Sequence, residues 1–485
     1  MGVNAAERSR PARTGEIGRG AWFRISAAYL ALGACAWWLQ SSAERETWWL
    51  HGLWCIAGLV IAVPTLVRAL RHGFAPVLVD HRLMFLAAFA VYFLFGAALL
   101  AIGPDVQAEA SLRYYPIGAG EALGVDALNA TGFGLALLAA TYFRGRWLGA
   151  LAARTAVVAA KVRDPVAIGM FLSIGVVASA YLLVFDLGFR EGVVPGLVRS
   201  AAKLSLVAIV LAVAHRGRAE LGLRIFGCVF AVLLAAVGVL QFNKTEALIP
   251  VAAVIAGLSM RFGVARVLPA GLTLLVIGYV MLGSLTAYGR ATLGYQGVAG
   301  FEERLQILVD GWRDTRDLTD EEEYGTWSRL CYVVPQVAAL DLRNDGQGGD
   351  GIRLIPWIFV PRLVAPDKPE ITATSREFNM KITGSDKSST GQGIFASGYY
   401  HGGWWGFIFA SVVCGWILAQ TSAIARAIMA RRALVLLPLV LLGLFTAFRI
   451  DGDFVSDYMG TFIFILYPLL AASAVLAVGR AHRSA

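Results

Sequence analysis

Apolar residues along this chain come in blocks of about twenty, the length a helix needs to cross a hydrocarbon core. Polar residues gather in the gaps between them. The blocks fall at 21–40, 47–67, 83–102, 126–143, 165–185, 197–214, 225–242, 247–260, 265–285, 404–424, 433–449 and 460–479. The pattern predicts an all-α protein, a polytopic transmembrane bundle of about twelve spans. It divides the chain into a tail at 1–20, membrane helices over 21–285, a large loop at 286–403, further membrane helices over 404–479 and a tail at 480–485. The first block lacks a small-residue cleavage site and is followed at once by another, so it reads as a span and not as a cleaved leader.

Charge orients the bundle. Twenty-three Lys and Arg, from Arg8 through Arg68, Arg144, Arg216, Arg261 and Arg426 to Arg483, fall at the turns of one side. The short turns opposite carry six, namely Arg45, Arg113, Arg190, Arg199, Lys244 and Arg449. The positive-inside rule places the first side, and both termini, in the cytoplasm. Twelve more basic residues lie between Arg290 and Lys387, but long loops cross membranes largely regardless of charge, so that loop is expected outside. Within it, Phe301, Leu305, Leu308 and Trp312 recur at helical spacing, and a second amphipathic stretch runs from Trp327 to Leu340, where Pro335 is expected to end or bend it. The run from Ile355 to Pro361 is too short to span and is expected at the interface, with Trp357 as an anchor. The loop thus predicts a small helical cap on the outer face, hinged at Gly346–Gly351.

Composition then removes several function classes. The chain is 58% hydrophobic and 15% charged, and its net charge of +9 resides at helix ends, not in a basic patch interleaved with aromatics, so a nucleic-acid partner is not expected. Four of the five cysteines lie inside apolar blocks and Cys331 lies in a polar region, so neither a disulfide framework nor a zinc spacing exists. No phosphate loop of the Walker type occurs, which argues against direct use of ATP. The first outer turn, Ser41–Glu46, is too short to hold the paired carboxylates of a lipid-phosphosugar mannosyltransferase. A membrane peptidase would need an outward Cys beside a His, and nothing in the sequence places Cys331 beside His401.

What remains is a set of cations at the outer surface, among them Arg290, Arg329, Arg362, Lys368 and Arg376, whose chemistry suits a doubly charged lipid phosphate. The bland alternative is a solvated cap whose arginines pair with Asp310–Glu323. Lys244 stands between two apolar blocks with almost no loop around it, either as a functional cation or as a lysine snorkelling beside Glu246. Arg199 and Lys203 could line the same cavity. Arg449 meets Asp451, Asp453 and Asp457 in a short outer turn that reads first as a local ion pair. His401 precedes a span among Tyr399, Tyr400, Trp404 and Trp405, placed either as a general base or as one more member of an interfacial aromatic belt.

The stretch Ile358-Phe359-Val360-Pro361-Arg362-Leu363-Val364-Ala365-Pro366-Asp367-Lys368-Pro369 resembles the last outer loop of bacterial O-antigen and exopolysaccharide repeat-unit polymerases, the Wzy type. Thr326-Trp327-Ser328-Arg329-Leu330, Tyr399-Tyr400-His401-Gly402-Gly403-Trp404-Trp405-Gly406 and Phe242-Asn243-Lys244-Thr245 are similar to other segments of that family. The resemblance spans about Leu240 to Gly406; the His-then-Asn that the related O-antigen ligases carry before these glycines is replaced by Ser388-Ser389-Thr390. It implies a GT-C-like fold in a bacterial inner membrane. It also implies glycosyl transfer at the periplasmic face from a glycan on undecaprenyl pyrophosphate to a second lipid-linked repeat unit. No cofactor or metal is implied. Arg290, Arg329, Arg362 and Lys368, with Lys244, Arg376 and Arg449, would bind the pyrophosphate, and a carboxylate or His401 would take the acceptor proton. A flippase and a chain-length regulator are implied partners. The alternatives are a ligase and a lipid-linked oligosaccharide transporter; the second would line a central cavity with cations between related halves, and no repeat is evident.

Overall fold

The computed structural model describes the chain apart from residues 1–16, 42–46, 103–114, 163, 188, 191–195, 217–219, 294–299, 315–329, 361–363, 366, 385–388 and 485. The described residues form helices and no strand. The first half comprises α1 (Arg19–Gln40), α2 (Trp48–Arg71), the short α3 (Ala75–Val79), α4 (His81–Ala101), α5 (Ala119–Phe143) and α6 (Arg146–Ala159). Next come α7 (Asp164–Asp186), α8 (Gly196–Ala202), α9 (Leu204–Ala214), α10 (Glu220–Leu240), α11 (Lys244–Phe262) and α12 (Val264–Leu293). The loop region contributes α13 (Phe301–Asp314), α14 (Val333–Asn344) and α15 (Ala373–Thr383), and the chain closes with α16 (Ile394–Ala430), α17 (Leu437–Phe448) and α18 (Gly460–Ser484).

Among the described residues nine helices are long and apolar enough to cross a membrane. Every apolar block of the sequence coincides with a helix, but three are not among the nine. The block 21–40 is α1, the block 197–214 is broken at Lys203 into α8 and α9, and the block 433–449 holds the shorter apolar helix Leu434–Phe448.

Helix α5 is the axis of the bundle, with 83% of its most apolar window buried, whereas the corresponding share of the stretch Val264–Gly283 in α12 is 11%. Lipid is as apolar as leucine, so burial in a membrane is decided by close packing and not by the hydrophobic effect. Two devices supply that packing here. Aromatic rings from different helices meet at Phe133, which stacks on Phe89 at 4.1 Å and Phe85 at 5.0 Å and receives the edge of Tyr29 at 4.8 Å. Small residues let backbones touch: a Cβ on Gly415 of α16 would stand 2.2 Å from the carbonyl oxygen of Ala136 in α5. Gly415→Val is therefore expected to destabilise the fold by about 1–3 kcal/mol through overpacking. Thermal unfolding in detergent reads this as a lowered midpoint, and an unchanged midpoint would contradict the helix contact.

Three details depart from the sequence reading. Pro335 does not end a helix; it occupies the first turn of α14, where the missing N–H has no intrahelical partner to lose. The segment before the tenth expected span is not loop, because α16 begins at Ile394 and continues through a break at Gly403, which has φ 59° and ψ −149°. The glycines of 346–351 do not form a free hinge. Gly349 and Gly351 lie against the ring of His401, where an added Cβ would approach to 2.5 and 2.8 Å.

Part of the large loop enters the bundle. Helix α14 buries Val333, Val334, Gln336, Val337, Ala338 and Ala339, and Gln336 exchanges two hydrogen bonds with Asn129 of α5, at 2.9 and 3.1 Å. Such a reciprocal amide pair satisfies both polar groups where no water reaches, and fixes α14 against α5.

Candidate functional site

The turn between α17 and α18 gathers polar chemistry at one end of the bundle. Helix α17 stops at Phe448, and Arg449, Asp451 and Asp453 follow before a π-helical turn, Phe454–Met459, leads into α18. π-turns inside helices often accompany functional sites. Here the cap explains the local structure: Asp453 accepts hydrogen bonds from the backbone N–H of Val455 at 2.9 Å and of Ser456 at 2.7 Å. Asp457 accepts from the backbone N–H of Asp453 at 3.0 Å and pairs with the Arg449 guanidinium. The segment ahead of α16 docks on this turn, Gly393 N–H donating to the carbonyl of Asp451 and Ile394 N–H to that of Ile450.

Two carboxylates two residues apart then meet opposite environments. Burial pushes Asp451 above the usual carboxylate range, against the opposing pull of Arg449 and of the Tyr332 hydroxyl, which donates to its Oδ2 at 3.1 Å. Its Oδ1 is buried without a partner, as is the Nε of Arg449. Burial acts on Asp453 in the same direction, but hydrogen bonds from His401, Ser456 N–H and Ser397 outweigh it and hold this carboxyl below the usual range. Carboxylates driven apart in this way are how one site separates proton acceptor from fixed anion. By that criterion Asp451 is the group able to take a proton, and Asp453 is a permanent anion in the scaffold. Burial and the neighbouring Asp451 also raise Tyr332, keeping its hydroxyl protonated and donating.

His401 belongs to the scaffold. Its Nδ1 accepts the Gly351 N–H at 3.1 Å, which assigns the proton to Nε2, and Nε2 donates to Asp453 Oδ2 at 3.1 Å. Ser397 donates to the same oxygen at 2.7 Å. With both ring nitrogens spent and the residue buried, His401 orients Asp453 and the glycines of the loop, and no nitrogen is left to accept a proton from a substrate.

The sequence-derived cations fall into three groups. Arg449 is in the turn itself, with its guanidinium over Phe445 at 5.5 Å, and Lys203 approaches the same ring at 5.7 Å. Tyr92 contacts Tyr332 and Phe448 at 5.5 and 5.4 Å and lies within electrostatic reach of Asp451, Arg449 and Tyr279. Lys244 stands over the ring of Tyr279 at 5.1 Å, so the tyrosines connect it to the turn. The second group has partners of its own: Lys368 donates to the carbonyls of Trp357 and Val360 at 3.2 and 2.8 Å, and Arg376 pairs with Glu370. In the third, Arg329 and Arg362 lie outside the described residues, and Arg290 is placed only as a residue of α12.

A second buried cluster was not legible in the sequence. His51 of α2 pairs with Asp126 of α5 at 2.6 Å and meets the Ala97 carbonyl at 2.9 Å, with Cys55 Sγ 3.9 Å from its Nε2. One ligand atom from each of His51, Cys55 and Asp126 lies within 4.8 Å of the others. As a metal site the set fits poorly, because both ring nitrogens already face oxygen acceptors and the carboxylate takes the Nδ1 proton. An imidazolium bonded to both oxygens satisfies the geometry and neutralises Asp126 inside the bundle. Cys331, which reads as polar-region cysteine, is buried within electrostatic reach of this cluster.

No family profile, no characterised protein and no solved structure matches this chain.

Proposed function

We propose that this chain is a polysaccharide polymerase of the outer membrane face, joining oligosaccharide repeat units carried on undecaprenyl pyrophosphate. The observation that carries the reading is the turn at Arg449–Asp457, where a cation and a proton-accepting carboxylate each keep one unspent buried atom. The resemblance of the 326–330, 358–369 and 399–406 segments to repeat-unit polymerases supports it. In this reading the bundle is GT-C-like, with twelve spans in a bacterial inner membrane, both termini cytoplasmic and the 286–403 loop as periplasmic cap.

The chemistry follows from the two groups. A hydroxyl oxygen of the acceptor sugar attacks the anomeric carbon of the donor glycan, and its proton passes to Asp451. The anomeric C–O bond breaks, and the lipid pyrophosphate leaves with the electron pair. Arg449, with Arg290, Arg329, Arg362, Arg376 and Lys244, meets the growing negative charge, the kind of preorganised stabilisation that contributes about 2–4 kcal/mol per donor in a transition state. Lys368, a further cation of the set, donates to the carbonyls of Trp357 and Val360 and so closes the 357–360 turn. A flippase supplying the donor and a regulator of chain length are the partners proposed for this activity.

A strain lacking the gene, complemented with wild type, Arg329→Ala, Arg362→Ala or Arg449→Ala at matched membrane levels, tests the reading. The wild type is expected to restore a ladder of whole repeats, and each variant to leave single repeats on the lipid carrier. A product ending after one transfer would instead identify a ligase. Repeat units stranded on the cytoplasmic leaflet in the deletion strain would identify a transporter.

A further inference from the structure

Two glycines bring the chain ahead of α16 against the turn between α17 and α18. In the segment Gly391-Gln392-Gly393, a Cβ on Gly391 would stand 2.4 Å from the carbonyl oxygen of Asp451, and Gly393 N–H donates to that same oxygen at 3.2 Å. Gly393 also lies against Gln336 of α14 and Phe93 of α4, where a Cβ would approach to 2.6 and 2.9 Å. Gln392 is thus fixed by its neighbours at the junction of α4, α14 and the turn, and it is fully buried. Upstream, the Thr390 hydroxyl donates to Asn379 Oδ1 and ties the segment to α15.

The polar side chains of this junction are not equivalent. Gln336 exchanges both ends of its amide with Asn129, Tyr332 donates to Asp451, and Ser397 and His401 donate to Asp453. Gln392 pairs neither end: its Nε2 and its Oε1 are both buried without a hydrogen-bond partner. Ten buried side-chain atoms among the described residues share that condition, and four of them belong to Gln392, Arg449 and Asp451. Scattered packing defects would not gather at one turn. An unpaired buried amide destabilises a fold, and a methionine of nearly the same shape would fill the place without that penalty. The four atoms are also complementary in kind. Arg449 Nε and Gln392 Nε2 donate, whereas Asp451 Oδ1 and Gln392 Oε1 accept. A hydroxyl does both, so a hydroxyl-bearing molecule is the chemistry that uses the whole set.

We propose that Gln392 is a specificity-determining residue that binds hydroxyls of the acceptor sugar, one accepting from Nε2 and one donating to Oε1, beside the hydroxyl that Asp451 deprotonates. The inference rests on the polymerase reading above and adds the recognition of its acceptor. No bond to the sugar is made or broken at Gln392; its amide selects which repeat unit is placed at Asp451. A site built to pair with hydroxyls discriminates strongly against sugars that lack them, because its own buried groups are then left unpaired. The sugar reaches this buried amide as the 390–394 segment parts from the turn, releasing the hydrogen bonds that Gly393 and Ile394 N–H donate to the carbonyls of Asp451 and Ile450.

The test compares wild type with Gln392→Met, which keeps the shape and removes both polar atoms, and with Gln392→Asn, which withdraws the amide by one carbon. The probes for the purified full chain in detergent are the single-repeat lipid extracted from the deletion strain and undecaprenyl pyrophosphate without sugar, read by native mass spectrometry and thermal shift. Wild type is expected to prefer the sugar-bearing lipid. Both variants are expected to bind that lipid about ten- to a hundredfold more weakly, the effect of two lost neutral hydrogen bonds, and to bind the bare lipid unchanged. In the polymerisation assay the same loss should appear in KM for the single-repeat lipid and not in kcat. Without probe, the unfolding midpoint of Gln392→Met should equal or exceed that of wild type, since an unpaired amide has left the core. Equal affinity of wild type and variants for the sugar-bearing lipid would overturn the inference and leave the amide to a buried water. Equal losses for both lipids with a lowered midpoint would overturn it in favour of packing, and so would a wild type with no preference for the sugar. A wild type that polymerises while the variants keep full affinity leaves the polymerase reading standing and removes Gln392. A sugar preference that the variants lose, in a wild type that forms no polymer, upholds the sugar site and removes the polymerase.

Discussion

Asp451→Asn is expected to lower polymer formation from lipid-linked repeat units by about 10²- to 10⁴-fold, the range a positioned general base contributes. The asparagine keeps the shape of the turn and still accepts the Tyr332 hydroxyl, so the loss would fall on proton transfer and not on packing. The pH profile provides the second reading. Burial raises the proton affinity of this carboxyl, and only its ionised form can act as base. The wild-type rate should therefore rise with pH through a midpoint above the ordinary aspartate value, and that limb should vanish in Asp451→Asn. Tyr332→Phe sharpens the test. The tyrosine hydroxyl favours the ionised carboxylate, so removing it raises the proton affinity further and moves the limb to higher pH. A full rate in Asp451→Asn, or a limb that Tyr332→Phe leaves in place, would remove Asp451 from the chemistry.

The sequence pattern located the helices because periodicity and length are local properties. All the apolar blocks became helices, and the amphipathic stretch from Phe301 to Trp312 became α13. What it missed depends on contacts between distant segments. Asp126 reads as a polar residue at the edge of a span, but it is buried within α5, which begins at Ala119, and it pairs with His51 of α2. The glycines of 346–351 read as a hinge because sequence shows only their freedom; their closeness to His401 is a tertiary fact. The turn between α17 and α18 was visible as Arg449 with three aspartates, and an ion pair between Arg449 and Asp457 does form. The division of labour between Asp451 and Asp453 was not visible, since it comes from Tyr332, Ser397 and His401, which are 52 to 119 residues away in the chain. A signal did exist: two acids with alternate spacing directly after a helix end, opposite a His-bearing helix, admit one cap and one unspent carboxylate.

Asp453→Ala is the substitution expected to cost most stability, about 3–5 kcal/mol, because it strips the acceptor from a largely buried set of donors. Ser397 O–H, His401 Nε2–H and the N–H groups of Val455 and Ser456 would all lose their partner at once. In a membrane protein the accessible measure is the midpoint of thermal unfolding in detergent, compared at one scan rate. The dependence on pH has a defined sign. The folded-state affinity of Asp453 for a proton is depressed, so its contribution is complete above the unfolded value near 3.9 and is lost as pH falls through the lower folded value. Wild type should lose stability below about pH 4, and Asp453→Asn should show a smaller loss there from a lower starting point. His401→Ala decides what the histidine does. As the residue that positions Asp453 it should lower the unfolding midpoint, and its effect should be markedly non-additive with Asp453→Asn in a double-mutant cycle. As a general base it would instead lower turnover while leaving that midpoint and its pH dependence unchanged. The first result would leave Asp451 as the proton acceptor, and the second would return that role to His401.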